Sequence, residues 1–211
     1  MWKWRKLLKL FKKTAIGLVK NIILAFQLGS GDTEMETLKK LEEINKPDTR
    51  NTHFVIINHE TGEKRSLSLE DFYKTVELIK LHERVPDNVR SQFNVARNLA
   101  IYTWFCYAFH QISELKAYST LEMALRIKLD KGKVGLKKLL IEAVESGLIK
   151  DRGFRNVKNS LKNPNSTEYV KRLPELMPRF RNELAHGSTM LNNSAFFNLQ
   201  ICADFINQLF I

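Results

Sequence analysis

Along most of this chain, apolar residues recur every three or four positions, a spacing that places them on one face of an α-helix. The longest such run covers 87–112, and a second follows over 115–129. Shorter runs, bounded by proline, glycine, serine or asparagine, predict further helices over 34–45, 69–84, 136–146, part of 150–165, 167–186 and 195–211. Within 167–186, Pro174 or Pro178 either starts a shorter helix or marks a kink. The pattern therefore predicts a mainly α protein that folds as a helical bundle.

A different pattern occupies residues 53–67. Residues 53–58 are rich in β-branched and aromatic side chains, and 64–67 suit a second short strand. A Thr-Gly pair between them suits a turn, so the stretch predicts a small β-hairpin. Ser68 follows, with Asp71 three residues later, and this spacing resembles a capping box that starts a helix.

Residues 1–31 contain seven basic residues and no acidic residue. Their apolar residues follow the spacing of one helical face: Trp4, Leu7, Leu8, Phe11, Ala15, Leu18, Val19, Ile22 and Phe26. A basic, tryptophan-led amphipathic helix is typical of a segment that lies on an anionic membrane surface. Lys20 interrupts the apolar run too early for a membrane span. A Gly-Ser-Gly joint over 29–31 ends this segment.

The role of residues 1–28 stays open among four readings. The segment contacts an anionic membrane surface, packs on its own domain or a second subunit, contacts nucleic acid, or is an added or processed peptide. The chain is accordingly divided into the basic helix and joint over 1–31, a helix, hairpin and helix over 32–86, and a helical bundle over 87–211.

The net charge of +11 indicates an anionic partner, although +7 of it lies in residues 1–31. The remainder of the chain is only mildly basic. Cys106 and Cys202 lie in apolar helical contexts, which predicts two buried thiols in a reducing cytoplasm. The histidines show no metal-binding spacing, so the sequence predicts neither a metal site nor a cofactor.

One short stretch carries recognisable chemistry: 181–187 reads Arg-Asn-Glu-Leu-Ala-His-Gly. On a helix, Asn182 and His186 are four residues apart on one face, and Arg181 lies about 100° round from Asn182. Arginine stays charged and can bridge two phosphate oxygens, while histidine can move a proton near neutral pH. Gly187 is a natural helix stop.

Those groups match the needs of metal-free cleavage of a ribose phosphodiester. A base must take the proton of the attacking 2′-hydroxyl, an acid must protonate the leaving oxygen, and a cation must stabilise the charged phosphorus centre. One helix supplies a single histidine. The chemistry therefore favours a symmetric homodimer in which two copies of the motif form one composite site.

The stretch 181–187 also resembles the R-x4–6-H signature of the HEPN superfamily, whose motif often carries asparagine after the arginine. A second stretch, 117–126 (Ala-Tyr-Ser-Thr-Leu-Glu-Met-Ala-Leu-Arg), resembles a helix of HEPN-like bacterial proteins. Segments 135–140 and 202–210 also sit where such proteins place comparable segments. The resemblance covers about 87–211 and says little about residues 1–86.

This resemblance implies a helical bundle that dimerises with its motifs facing each other. In the active members it implies metal-independent RNA cleavage in toxin, abortive-infection or other defence systems, with an antitoxin or defence-system protein as a partner. Carried over by position, Arg181 holds the phosphate, His186 serves proton transfer and Asn182 positions the scissile group or the histidine. Glu122 matches an acidic position and would pair with Arg181 to orient it. Further RNA contacts are expected from Lys137, Lys138 and Arg179.

A second interpretation keeps the fold and drops the catalysis. His186 then complements the dipole at a helix C-terminus, and Arg181 forms a salt bridge across a dimer. Glu122 then pairs with Arg126, four residues later on the same helix. In this case the chain is a HEPN-like module that dimerises or binds nucleic acid or a partner protein. Both interpretations predict a cytoplasmic protein, peripheral at the membrane if residues 1–28 bind lipid.

Overall fold

The computed structural model describes residues 36–58, 60–159, 161, 163–187, 191 and 193–211. The amphipathic helix and the joint predicted over 1–31 lie outside these residues.

Within the described residues the chain is mainly helical, as the apolar spacing predicts, with one two-stranded sheet. The strands are β1 (Val55–Ile57) and β2 (Lys64–Ser66). The α-helices are α1 (Leu69–Glu77), α2 (Asp87–Tyr102), α3 (Phe109–Leu129), α4 (Leu136–Glu145), α5 (Arg155–Lys158), α6 (Leu173–Ala185) and α7 (Ala195–Leu209). Short 3₁₀ turns cover Leu41–Glu43, Thr49–His53, Asp151–Gly153 and Val170–Arg172.

Helix α3 lies at the centre of the bundle and contacts α2, α4, α6 and α7. Its buried residues are spread around most of the helix, which is the pattern of a helix enclosed by its neighbours. Those with no exposed surface include Ala117, Leu121, Ala124 and Leu125. Because α4 and α6 also contact each other, the three helices α3, α4 and α6 enclose one corner of the bundle.

The predicted hairpin is confirmed, with β1 and β2 antiparallel and Ile56 opposite Arg65. The capping box is also present. The Ser68 hydroxyl accepts the Asp71 N–H at 3.3 Å, and the Asp71 carboxylate accepts the Ser68 N–H at 2.9 Å. Arg65 donates to the same carboxylate at 2.6 Å and 2.7 Å, which ties β2 to the first turn of α1.

Helix α1 ends at Glu77, well before the predicted boundary near residue 84. The carbonyl groups at its end are bonded by side chains from elsewhere in the fold. Arg97 donates to the Val76 carbonyl at 3.2 Å, and Arg155 donates to the Leu78 carbonyl at 3.0 Å. These bonds satisfy carbonyls that a longer helix would have bonded internally.

The helix predicted over 34–45 is wrong in the part that the structure describes, where only the short turn Leu41–Glu43 is helical. The side chains of Leu38 and Leu41 are 97% and 84% exposed, so no apolar face of this segment packs on the bundle. Isolated helices of this length are marginal in water without such packing.

The run predicted as one helix over 87–112 is broken at 103–108, and α3 starts at Phe109 rather than near 115. Two buried residues from before the hairpin bond the open backbone. The Asn51 amide donates to the Thr103 and Trp104 carbonyls at 2.8 Å and 3.0 Å. The Asp48 carboxylate accepts the Tyr107 N–H at 2.8 Å. Contacts this distant in sequence override the local helical pattern.

α4, α5 and α7 follow their predictions closely. α4 covers most of 136–146, the described part of 150–165 contains a short turn and α5, and α7 starts immediately after Ser194. α6 starts at Leu173, six residues after the predicted start at 167, with Pro174 in its first turn. The Ser194 hydroxyl donates to Glu114 on α3 at 2.6 Å, which fixes the start of α7 against the central helix. Among the described helices, none has the length and apolar character needed to cross a bilayer.

Candidate functional site

Helix α6 carries the motif over 181–187. Pro174 lies in its first turn, where a missing N–H leaves no intrahelical bond unmade. The helix ends at Ala185, and the His186 N–H donates to the Asn182 carbonyl at 2.9 Å. Gly187 follows with φ of +84°, a conformation that glycine adopts without strain and that ends the helix. The motif therefore lies in the last turns of α6 and the residues that end it.

Arg181 is held on two sides and remains partly exposed to solvent. Its guanidinium donates to the Asn182 side-chain oxygen at 3.2 Å and lies 3.8 Å from a carboxylate oxygen of Glu122 on α3. The Arg181 side chain is 38% exposed, whereas that of Glu122 is 12% exposed. A largely covered carboxylate thus orients an accessible guanidinium.

The same carboxylate has a second and closer partner. Arg126, one turn along α3, donates to the other Glu122 oxygen at 2.5 Å. The same guanidinium nitrogen of Arg126 also donates to the Val134 carbonyl at 3.2 Å. One negative charge therefore lies between two positive charges, and the looser contact is the one to Arg181. The group of three side chains carries a net charge of +1.

Asn182 and His186 are exposed at the surface. Within the described residues, the His186 imidazole makes no hydrogen bond or ion pair, and no contact joins it to Arg181. A single chain therefore presents the predicted phosphate-binding cation and the predicted proton-transfer group at one end of α6 without coupling them. An anion, or a second copy of the chain, has access to both groups.

The predicted RNA contacts lie on α4 and α6, and two of the three are paired with acids. Lys137, in the first turn of α4, is bonded to Glu175 at 2.6 Å, and this bond lowers the pKa of that carboxyl. Arg179 is 3.1 Å from Glu183 on the same helix. Lys138 is exposed and has no ion-pair partner among the described residues.

Three further titratable groups lie outside this site. His110 is buried, its Nδ1 has no hydrogen-bond partner among the described residues, and burial lowers its pKa to about 4. Cys202 is buried, whereas Cys106 is half-buried, so the prediction of two buried thiols is wrong for Cys106. No three His, Cys, Asp or Glu side chains of the described ranges gather as a set of metal ligands.

Two features of the structure were not predicted. The sequence offers Arg126 only as an alternative partner for Glu122, yet it shares the carboxylate with Arg181 and reaches the α3–α4 loop. Glu114 is buried and accepts hydrogen bonds from Ser194 and Asn198, at 2.6 Å and 2.7 Å. The spacing of Arg126 from Glu122 was visible in the sequence. No local signal pairs Glu114 with residues 80 positions away.

No known protein family, no curated protein and no solved structure matches this chain.

Proposed function

We propose that this chain is a metal-independent endoribonuclease of the HEPN type that acts as a homodimer, as a toxin or an anti-phage defence effector. The observation that carries the proposal is the end of α6. An accessible Arg181 guanidinium, oriented by Glu122 and Asn182, lies within two turns of an exposed His186 imidazole. These are the groups expected of an enzyme that holds a phosphodiester and moves protons at it.

The reaction balances without a metal or a water molecule. The ribose 2′-oxygen attacks the adjacent phosphorus while the bond from phosphorus to the 5′-oxygen breaks. The products are a 2′,3′-cyclic phosphate and a 5′-hydroxyl. Arg181 bonds the non-bridging phosphate oxygens as their charge grows. One imidazole takes the 2′-hydroxyl proton, and a second gives a proton to the departing oxygen.

The need for two imidazoles is the reason for proposing a homodimer. α6 and the residue that ends it supply one histidine, His186. A twofold axis close to the end of α6 would bring a second His186 and a second Arg181 to the same phosphate. An interface of this kind is isologous, because the same patch of each chain contacts its copy.

The proposal is tested by incubating total cellular RNA with the full chain in a buffer that contains EDTA. His186→Ala and Arg181→Ala are expected to abolish cleavage, because each removes a group that acts on the phosphodiester. His53→Ala and Arg84→Ala are the matched controls, since both residues are exposed and lie outside the site. They are expected to cleave like the wild type. Circular dichroism checks that all variants remain helical.

Cleavage that survives in His186→Ala would remove this histidine from the mechanism, and an inactive wild type would favour the second candidate function. That candidate is a non-catalytic HEPN-like module that dimerises or binds nucleic acid or a partner protein. The Arg181–Glu122 ion pair supports it equally, because such a pair can serve structure alone. RNA binding or self-association without cleavage is the result that it predicts.

A toxin of this type would work in the cytoplasm and would be neutralised by an antitoxin or another defence-system protein that covers the end of α6. Residues 1–28 would place it at an anionic membrane surface, since their sequence combines lysines with a tryptophan-led apolar face. Co-sedimentation with anionic liposomes, with and without residues 1–28, tests this placement. Equal pelleting of the two proteins would contradict it.

A further inference from the structure

The α3–α4 loop, residues 130–135, is fixed next to the candidate site by a continuous set of contacts. Arg181 lies 3.8 Å from Glu122, Glu122 accepts a hydrogen bond from Arg126 at 2.5 Å, and Arg126 donates to the Val134 carbonyl at 3.2 Å. The guanidinium of Arg126 therefore links the carboxylate that orients Arg181 to the backbone of the loop. These contacts connect the loop to Arg181.

The loop and the first turn of α4 carry four lysines, and pairing with acids separates them into two groups. Lys131 lies 3.3 Å from Glu142, and Lys137 lies 2.6 Å from Glu175. Lys133 and Lys138 are exposed, and neither ammonium group has a hydrogen-bond or ion-pair partner among the described residues. Of the four lysines, these two carry a positive charge that no acidic side chain of the described residues neutralises.

The backbone shape of the loop keeps Lys133 accessible. Asp130 has φ of +51° and turns the chain at the end of α3, where its N–H donates to the Arg126 carbonyl. Gly132 directly before Lys133 is exposed and has no side chain, and Val134 directly after it is half-buried, so the Lys133 side chain stays exposed to solvent. Lys138 lies in the first turn of α4, which contains no acidic residue.

We propose that Lys133 and Lys138 bind backbone phosphates that flank the scissile one, so that an RNA strand runs from Arg181 past Arg126 onto the α3–α4 loop. This inference rests on the proposed function and narrows its substrate. The substrate is a single strand several nucleotides long, held by its phosphates, and a dinucleotide is a poor substitute. Lys137 contributes little, because Glu175 already neutralises it.

Binding is measured apart from cleavage, with the full chain carrying His186→Ala and a fluorescent single-stranded RNA of about twelve nucleotides. The test variant adds Lys133→Gln and Lys138→Gln. The matched control adds Lys40→Gln and Lys64→Gln, which remove the same charge from exposed lysines near the hairpin end of the chain. For two lost phosphate contacts, the slope of log affinity against log salt falls by about 1.4, and binding at 0.1 M salt weakens about tenfold or more. The control keeps the slope and loses little affinity.

A separate comparison tests whether a lysine that pairs with an acid contributes less to RNA binding than one that does not. Lys137→Gln is expected to weaken binding much less than Lys138→Gln, although the two positions are adjacent. Equal losses from Lys137→Gln and Lys138→Gln, or equal binding by the test variant and the matched control, would overturn the inference.

The outcomes for the two proposals are distinguishable. If the wild type cleaves RNA and the Lys133/Lys138 variant binds like its control, the proposed function stands and this inference fails. If RNA binding depends on the two lysines while the wild type does not cleave, the surface stands and the nuclease proposal fails.

Discussion

At the scale of single residues, Arg126 and Arg181 share the carboxylate of Glu122. How readily Arg181 can bind a phosphate depends on how strongly Glu122 holds it. Arg126 holds one carboxylate oxygen at 2.5 Å, and Arg181 lies 3.8 Å from the other. A carboxylate fully engaged by Arg181 would compete with a phosphate for the same guanidinium. Arg126 weakens that competition, because it takes the closer contact.

Arg126→Ala is therefore expected to strengthen the Glu122–Arg181 pair and to raise the KM for RNA about fivefold, with a smaller change in kcat. A merely structural role for Arg126, as a support of the loop, also predicts a loss. The double variant Arg126→Ala/Glu122→Gln separates the two, because it leaves no carboxylate to hold Arg181 away from phosphate.

Recovery of the KM in the double variant supports competition for Glu122. A double variant no better than Arg126→Ala contradicts it. Arg90→Ala is the matched control, since Arg90 also pairs with an acid on its own helix, Asp87. Its KM is expected to equal that of the wild type.

Two buried groups on α3 set the pH dependence of stability in opposite directions. Burial raises the pKa of Glu114 to about 7, above its ordinary 4.5. Between these values the folded chain keeps a proton that the unfolded chain has released, so this group lowers stability as pH rises. Burial lowers the pKa of His110 from 6.5 to about 4. Between about pH 4 and 6.5, His110 binds a proton in the unfolded chain and not in the folded chain, so its contribution to stability rises with pH.

Glu114→Gln removes the first of these effects. The free energy of unfolding of the variant, measured relative to the wild type in urea, is expected to increase by roughly 3 kcal/mol between about pH 5 and pH 8. Glu145→Gln, at an exposed position on α4, is the control, and its difference from the wild type is expected to be the same at both pH values. A Glu114→Gln difference that does not change with pH would contradict the account.

At the scale of elements, the boundaries of the helices depend on contacts as much as on local sequence. α4 is predicted well, because it has its own apolar face and its own start residue, whereas α6 matches its prediction at its end but starts six residues late, at Leu173. The break at 103–108 was not predictable from local pattern, since Asp48 and Asn51 create it from more than fifty residues away. The segment 36–45 shows the converse, because helical spacing without a packing partner leaves only a short turn.

Asn51→Ala tests how much the hydrogen bonds at this break stabilise the fold. The variant leaves the buried Thr103 carbonyl without the bond from the Asn51 amide, so the free energy of unfolding is expected to fall by about 2 kcal/mol. Asn98→Ala, an exposed position on α2, is the matched control and is expected to change stability by less than about 0.5 kcal/mol. Equal effects of the two substitutions would show that the hydrogen bonds from Asn51 to residues 103 and 104 contribute little to the free energy of unfolding.

At the scale of the whole molecule, the site lies where three helices meet. The sequence alone placed Arg181, Asn182 and His186 on one helix end, because their spacing is local. The position of Glu122 beside Arg181 was suggested by the resemblance to a family rather than by any local pattern. Two features could not be predicted from the sequence, because they depend on the packing of α3 against α4 and α6. They are the unequal contacts of Glu122 with its two arginines and the difference between lysines that pair with acids and lysines that do not.

The chemistry of the RNA ends tests the proposed metal-free cleavage by His186 most directly. A defined single-stranded RNA is incubated in EDTA with the wild type and with His186→Ala, and the products are analysed by mass. The wild type is expected to release fragments with a 2′,3′-cyclic phosphate and a 5′-hydroxyl, and the RNA is expected to stay intact with His186→Ala. Intact RNA with the wild type, or the same fragments at the same rate from His186→Ala, would contradict the proposed cleavage.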